Sequence, residues 1–222
     1  MTTFWLKRLS SALPLRTQQG LKRFHFAHQI RAGRFATAEP EYARLGEWVA
    51  AGDWVIDVGA NVGHYTARLS QLVGPTGRVL AFEPVPETFE LLAANMAVAG
   101  ARNVSLFNVA ASTRIGVAGV SLPHFSSGLT NYYMAGITLG DGEFKVLTLP
   151  LDSVMPSARI ASVKIDVEGH DLQALLQRDL PRLIVEGTSP EVETFLRDLG
   201  YTFTELPGSP NRLFSASPGS QA

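Results

Sequence analysis

The 222-residue sequence has no cysteine. Disulfides, thiolate nucleophiles and cysteine-ligated zinc or iron–sulfur centres are thereby excluded together. It also lacks an uninterrupted apolar run, so neither a secretory signal nor a transmembrane span is legible. Internal repeats and low-complexity tracts are missing, which sets aside solenoids and arrays. Charge is nearly balanced, with a net of −1, and this does not favour nucleic acid as a partner. Acid is absent from one region in particular. Residues 1–34 carry seven basic side chains and no carboxylate, whereas residues 35–222 carry 12 basic and 20 acidic ones, a net of −8.

What remains is the composition of a globular protein, 45% hydrophobic and 18% charged, long enough for one large α/β domain with a short appendage. Residues 1–40 form a basic arm that includes Phe4, Trp5, Leu21, Phe24 and Phe26. It reads as a surface arm or helices packed on the domain or on a second subunit, as in a homo-oligomer. A helix lying on anionic lipid and an organellar transit peptide are two other readings of the same composition. Residues 41–217 form the main domain, and residues 218–222 a frayed tail. The absence of cysteine fits a reducing cytoplasm, the expected location.

Along the main domain, apolar runs alternate with helical patterns, the signature of βαβ units on a parallel sheet. Residues 41–50 read as a helix ended by Gly52. Strands are expected at 54–58, 79–83, 104–109, 163–167 and 182–186, with helices at 63–73, at 86–99 and from Leu172 to Leu176. A helix from Pro190 to Leu199 then leads to an antiparallel pair, 201–206 and 213–216, at the sheet edge. Residues 112–150 break the pattern and read as an insertion with short strands at 117–122 and 144–149. Such an insertion belongs over the C-terminal edge of the sheet, where substrate pockets form. Its His124, Asn131, Tyr132 and Tyr133 are candidates to touch an acceptor.

The strongest chemical signal is Asp57-Val58-Gly59-Ala60-Asn61-Val62-Gly63, a buried strand running into glycines that open a helix. Glycine permits the sharp turn and a close ligand approach, and the helix start offers N–H donors. Twenty positions after Gly63 stands Glu83, ending the second strand, where a carboxylate accepts hydrogen bonds from ribose hydroxyls. The spacing is G-x-x-x-G, not the dinucleotide pattern G-x-G-x-x-G, and Asp57 would repel a pyrophosphate. S-adenosylmethionine has no phosphate but carries an ammonium and a sulfonium, which a neighbouring acid favours. The alternative for these glycines is a plain strand–helix turn.

A second constellation is Lys164-Ile165-Asp166-Val167-Glu168-Gly169-His170. Charges within a strand-like run are costly to bury unless paired or used. Alternation puts Lys164, Asp166 and Glu168 on one face. Asp166 and Glu168 would take up a proton from an acceptor or hold a divalent cation; His170 is a further candidate base. The alternative is an ion-paired cluster that orders a loop. Glu186 is a candidate to complete an acidic pocket, and His64 and Tyr65 to line the amino-acid end of the cofactor.

Val55–Tyr65, Phe82–Pro86 with Asn95, Leu151-Asp152 and Lys164–Gly169 together resemble the FkbM-type methyltransferase family. The resemblance implies a class I methyltransferase fold: Rossmann-like, with a mostly parallel doubly wound sheet and an antiparallel edge strand. It implies S-adenosylmethionine, with contacts at Asp57, Gly59, Ala60, Asn61, Gly63, Glu83, Pro84, Asn108, Ala110 and Asp166. It places Asp166 and Glu168 at the reaction centre. The acceptor it implies is an oxygen of a small molecule, sugar or secondary metabolite; N-methylation of a peptide side-chain amide and a non-catalytic adaptor role are the alternatives. A divalent metal is not favoured. The missing middle glycine argues against a nicotinamide oxidoreductase; an RNA methyltransferase is slightly favoured by the basic arm and disfavoured by the acidic main domain and the absence of a basic stripe.

Overall fold

The computed structural model describes residues 14–121, 136–138, 142–165, 176, 178–186 and 188–216. Its centre is a seven-stranded sheet in the order β10-β11-β9-β8-β1-β2-β3. The strands are β1 (Trp54–Val58), β2 (Arg78–Phe82), β3 (Val104–Phe107), β8 (Ile160–Ile165), β9 (Arg182–Glu186), β10 (Tyr201–Glu205) and β11 (Asn211–Ala216). The first five pair in parallel, and β11 enters antiparallel between β9 and β10. The alternating runs imply this mostly parallel sheet, and its doubly wound form with an antiparallel strand near one edge is the one that the family resemblance implies.

Parallel strands are covered on both faces, and their side chains alternate between two cores. Ile56, Val58, Leu80, Phe82, Val163 and Ile165 face one core, joined by Leu196 of α5 (Pro190–Asp198) and Leu176. Val55, Val79 and Ile184 face the other with Tyr65, Leu69 and Val73 of α3 (His64–Val73). On that second side α4 (Pro86–Ala99) adds Leu91, Leu92 and Met96. It starts on Pro86 and ends on the left-handed Gly100 (φ 67°), in keeping with the N-terminal proline and C-terminal glycine preference.

Two expectations need correction. The helix expected over 41–50 is a single short turn, α2 (Pro40–Arg44), followed by a 3-10 turn at Leu45–Glu47. Leu45, Trp48 and Val49 are still buried against the sheet, so their apolar spacing reflects packing without a continuous helix. The segment after β3 holds two strands beyond the short pair expected. Strands β4 (Ala110–Ala111), β5 (Gly116–Ser121), β6 (Gly136–Thr138) and β7 (Phe144–Leu149) form a separate sheet in the order β4-β7-β5-β6. Val85, just past the end of β2, packs with Ala110, Val120 and Val146. This contact seats the small sheet on the C-terminal edge of the large one.

Helix α1 (Leu15–Arg31) lies along α4. Phe26 and Ile30 pack on the core there, and Arg23 is ion-paired with Glu90. Leu21 and Phe24 remain exposed. None of the described helices is long and apolar enough to cross a membrane.

Candidate functional site

The strand order reverses at β1, whose neighbours β2 and β8 come from opposite directions along the chain. A crevice opens at the C-terminal ends of strands beside such a switch point. The loop after β1 lies at this place. Gly59, Asn61 and Gly63 have φ of 76°, 50° and 95°, so every second residue is left-handed. Glycine adopts that region freely, and asparagine is among the L-residues that tolerate it best. Asn61 therefore does the backbone work of a glycine. Gly63 has a second constraint: a Cβ there would lie 2.6 Å from Leu92 Cδ1 and 2.8 Å from Met96 Cε. Its bareness lets α3 and α4 approach.

The loop's own donors are spent internally. Gly59 and Ala60 both donate to the Phe82 carbonyl, at 3.0 and 2.9 Å, and Gly63 donates to the Ala60 carbonyl at 2.9 Å. Asn61 donates its N–H to Glu83 Oε2 at 2.8 Å. A pyrophosphate finds no free N–H at these four residues, which is what a dinucleotide loop must supply.

Glu83 is the residue that this loop serves. Its Oε1 accepts from the Val85 N–H at 2.9 Å, so each carboxylate oxygen holds one backbone donor and keeps further lone pairs. The side chain is 5% exposed. Burial pushes its pKa up to about 7, offset in part by the two backbone donors; Asp57 raises it further and Lys164 lowers it. A carboxylate so prepared fits the paired hydroxyls of a ribose, because donors to the ionised form recover what burial costs. Asn108 braces the turn by donating to the Glu83 and Pro84 carbonyls at 2.9 and 3.0 Å.

The other expected cofactor residues sit around this frame. Asp57 is fully buried and accepts from Thr66 Oγ1 at 2.6 Å. Asn95, 1% exposed, donates to the Val62 carbonyl at 2.8 Å and ties the loop to α4. Ala60 and Ala110 are buried in apolar clusters. Lys164 is opposite Asp57 across β1 and β8, is buried, and has its Nζ 4.8 Å from the Tyr65 ring centroid. Glu186 is exposed at the end of β9, opposite Asn211. Asp166, Glu168 and His170 lie outside the described residues, as do His124, Asn131, Tyr132 and Tyr133. Among the described residues, no three His, Asp or Glu side chains are grouped as metal ligands.

The residues before β1 reach the same loop. His64 packs against Phe35 (ring centroids 4.2 Å apart) and Phe26, and burial holds its pKa below the usual value. Tyr65 donates to Glu39 and lies 3.1 Å from Glu41 Oε1. A cavity of ≈ 80 Å³ separates Gln19, Lys22 and Phe26 of α1 from Asn61, Val62 and Thr88. Sequence reasoning passed over Glu39 and Glu41. They are the first two carboxylates of the chain, but an acid in the first turn of a helix reads as a partner for the helix dipole.

Comparison with known proteins bears on the family and the fold. Residues 57–203 match the family described as the methyltransferase FkbM domain. Methyltransferase sdnD of Sordaria araneosa is 24% identical over 68% of this chain and 74% of its own. A protein-L-isoaspartate O-methyltransferase of Methanothrix thermoacetophila is 40% identical over 52 residues, 23% of this chain and only 25% of that protein's length. A methyltransferase structure from Geobacter sulfurreducens superposes with a TM-score of 0.50 at 14% identity, covering 94% of this chain and 93% of that one.

Proposed function

The chain belongs to the FkbM methyltransferase family, and from that premise we propose that it transfers a methyl group from S-adenosylmethionine to an oxygen of a small molecule, such as a sugar or another secondary metabolite. The observation that carries the reading is Glu83, a buried carboxylate with one backbone donor on each oxygen at the end of β2. It supports a ribose hydroxyl pair on a phosphate-free nucleoside. When bound, S-adenosylmethionine supplies an electrophilic methyl on a positively charged sulfur. The work left to the protein is to orient the two reactants, exclude water and take up a proton.

Asp57, Gly59, Asn61, Gly63 and Glu83 orient the nucleoside in this reading. Asp166 follows directly on Ile165, the last described residue of β8. A carboxylate at that point in the chain suits proton removal from a hydroxyl, and Glu168 and His170 are the further candidates. The small sheet β4-β7-β5-β6, seated on Val85, supports an acceptor wall beside the crevice.

The test is to incubate the protein with methyl-labelled S-adenosylmethionine and matched panels of hydroxyl- and amide-bearing acceptors. Label on a hydroxyl acceptor is the expected result; label on an amide would move the reading to N-methylation. Asp166→Ala is expected to lower turnover about 10²–10⁴-fold at saturating S-adenosylmethionine, the usual contribution of a general base, a larger loss than any weakening of S-adenosylhomocysteine binding. Unchanged turnover would remove that assignment.

A further inference from the structure

The N-terminal segment places a second pair of carboxylates against α3, behind the loop after β1, and their chemistry is not used by the ribose end. Glu41 is 0% exposed. Its Oε1 is near Tyr65 Oη and accepts from Asn211 Nδ2. Its Oε2 is buried with no hydrogen-bond partner among the described residues. Native proteins leave few such atoms, because an unmet buried carboxylate oxygen costs free energy that a partner would return. Glu39 converges on the same phenol. Tyr65 has one hydroxyl hydrogen, so it cannot satisfy both carboxylates at once. Burial and the two acids hold the phenol well above its usual pKa, so it stays protonated and adds no charge. Lys164 Nζ lies over the same ring but does not bond Glu41 Oε2, so that oxygen is open to a further cationic donor.

The position of the cluster says which one. Tyr65 is the second residue of α3, directly behind the Gly59–Gly63 loop. Its ring lies over Lys164 of β8, and Lys164 and Asp57 both act electrostatically on Glu83. Asn211 stands opposite Glu186, at the C-terminal end of β9. Glu83 ends β2, and the Tyr65–Glu41 cluster lies on the other side of β1, between Lys164 on β8, two strand spacings from β2 (~10 Å), and Asn211 on β11, four spacings from it (~19 Å). A nucleoside whose ribose rests on Glu83 and whose tail crosses β1 carries its tail end towards Glu41. In S-adenosylmethionine that tail ends in an α-amino acid, whose ammonium is the group a carboxylate attracts.

We propose that Glu41, positioned by Tyr65 and Asn211, binds the amino-acid ammonium of the cofactor, with Glu39 beside it. The proposal rests on the reading that the cofactor is S-adenosylmethionine, and it adds a binding residue from outside the strand-end motifs.

The experiment is a calorimetric comparison of three ligands on wild type and Glu41→Gln: S-adenosylhomocysteine, its deamino analogue, which keeps the carboxylate but lacks the ammonium, and 5′-methylthioadenosine, which lacks the whole amino-acid tail. The expected result is an affinity for S-adenosylhomocysteine about 10- to 100-fold weaker in Glu41→Gln, as for a charge-assisted hydrogen bond lost. Affinity for the other two should stay within about twofold, and the deamino analogue should bind wild type about as weakly as S-adenosylhomocysteine binds the variant. Equal weakening of all three ligands would mean a structural role only and overturn the proposal, as would no change in any. If Glu41→Gln does not fold, Glu41→Asp, which withdraws the charge by one methylene, takes its place, and selective or equal weakening decides the question in the same way. If folded wild type binds none of the three, the cofactor reading itself fails, a result distinct from both.

Discussion

The two carboxylate sites are built in opposite ways. At the ribose end, Glu83 is held by Asn61 and Val85 and braced through Asn108, none of them more than 25 residues from it along the chain. At the β8 side, Glu41 meets Asn211, 170 residues away, and Lys164 meets Tyr65 across the sheet. The first end is made by local turns and adjacent parallel strands, so its geometry is set once β1 and β2 pair. The second exists only when the N-terminal segment and the last strand close over α3. The ribose end should therefore fail through loss of particular contacts, and the far end through loss of docking.

The largest effect is expected at Glu83. Glu83→Ala removes a charged acceptor of two hydroxyls, each such bond contributing about 1.5–3 kcal/mol, so S-adenosylhomocysteine binding should weaken by a hundredfold or more in titration calorimetry while the fold is retained. Next is Gly63→Ala. The added Cβ meets Leu92 and Met96 at a φ of 95°, and overpacking with left-handed strain should cost about 2–4 kcal/mol in urea unfolding. A loss under about 0.5 kcal/mol would show that α3 and α4 can separate and that the loop is not their spacer.

The pH dependence comes third. Glu83 has a folded pKa raised to about 7 from the ordinary 4.5. For the unliganded protein, that contribution to stability is fully present below about pH 4.5 and is lost as pH rises through about 7, because the charged form is the one that burial penalises. For a ligand that donates hydrogen bonds to the carboxylate the sign reverses. Affinity for S-adenosylhomocysteine should rise up to about tenfold per pH unit on approaching pH 7 from below and then level off. Glu83→Gln should flatten that rise, and a rise that persists in the variant would assign it to another group.

Asn61 gives a smaller and sharper test. Asn61→Gly should change stability by only a few tenths of a kcal/mol, whereas Asn61→Val, β-branched at a φ of 50°, should cost about 1–3 kcal/mol. Equal effects would mean that the side-chain amide, not the backbone, is what the loop needs. At the bottom of the scale is Arg23→Ala. The Arg23–Glu90 pair is about half exposed on both sides, and its loss should shift stability by less than about 0.5 kcal/mol. A larger loss would make α1 part of the cooperative core instead of a cover upon it.

The sequence by itself determined the central strands, the alternation of their two buried faces, the left-handed loop and Glu83. These depend on period-two and period-3.6 patterns and on residues close along the chain, where side-chain chemistry and backbone geometry constrain each other directly. Even there the spacing G-x-x-x-G suggested a glycine short; only the backbone angles show that Asn61 fills the place. Tertiary structure alone decided that Leu45, Trp48 and Val49 are buried without a long helix, that strands β4 to β7 build a sheet of their own, and that Glu41, Tyr65, Lys164 and Asn211 come together. Those contacts join four separate segments through the folded sheet. Their geometry is fixed by which strands pair and which faces close, and no local pattern of residues encodes that.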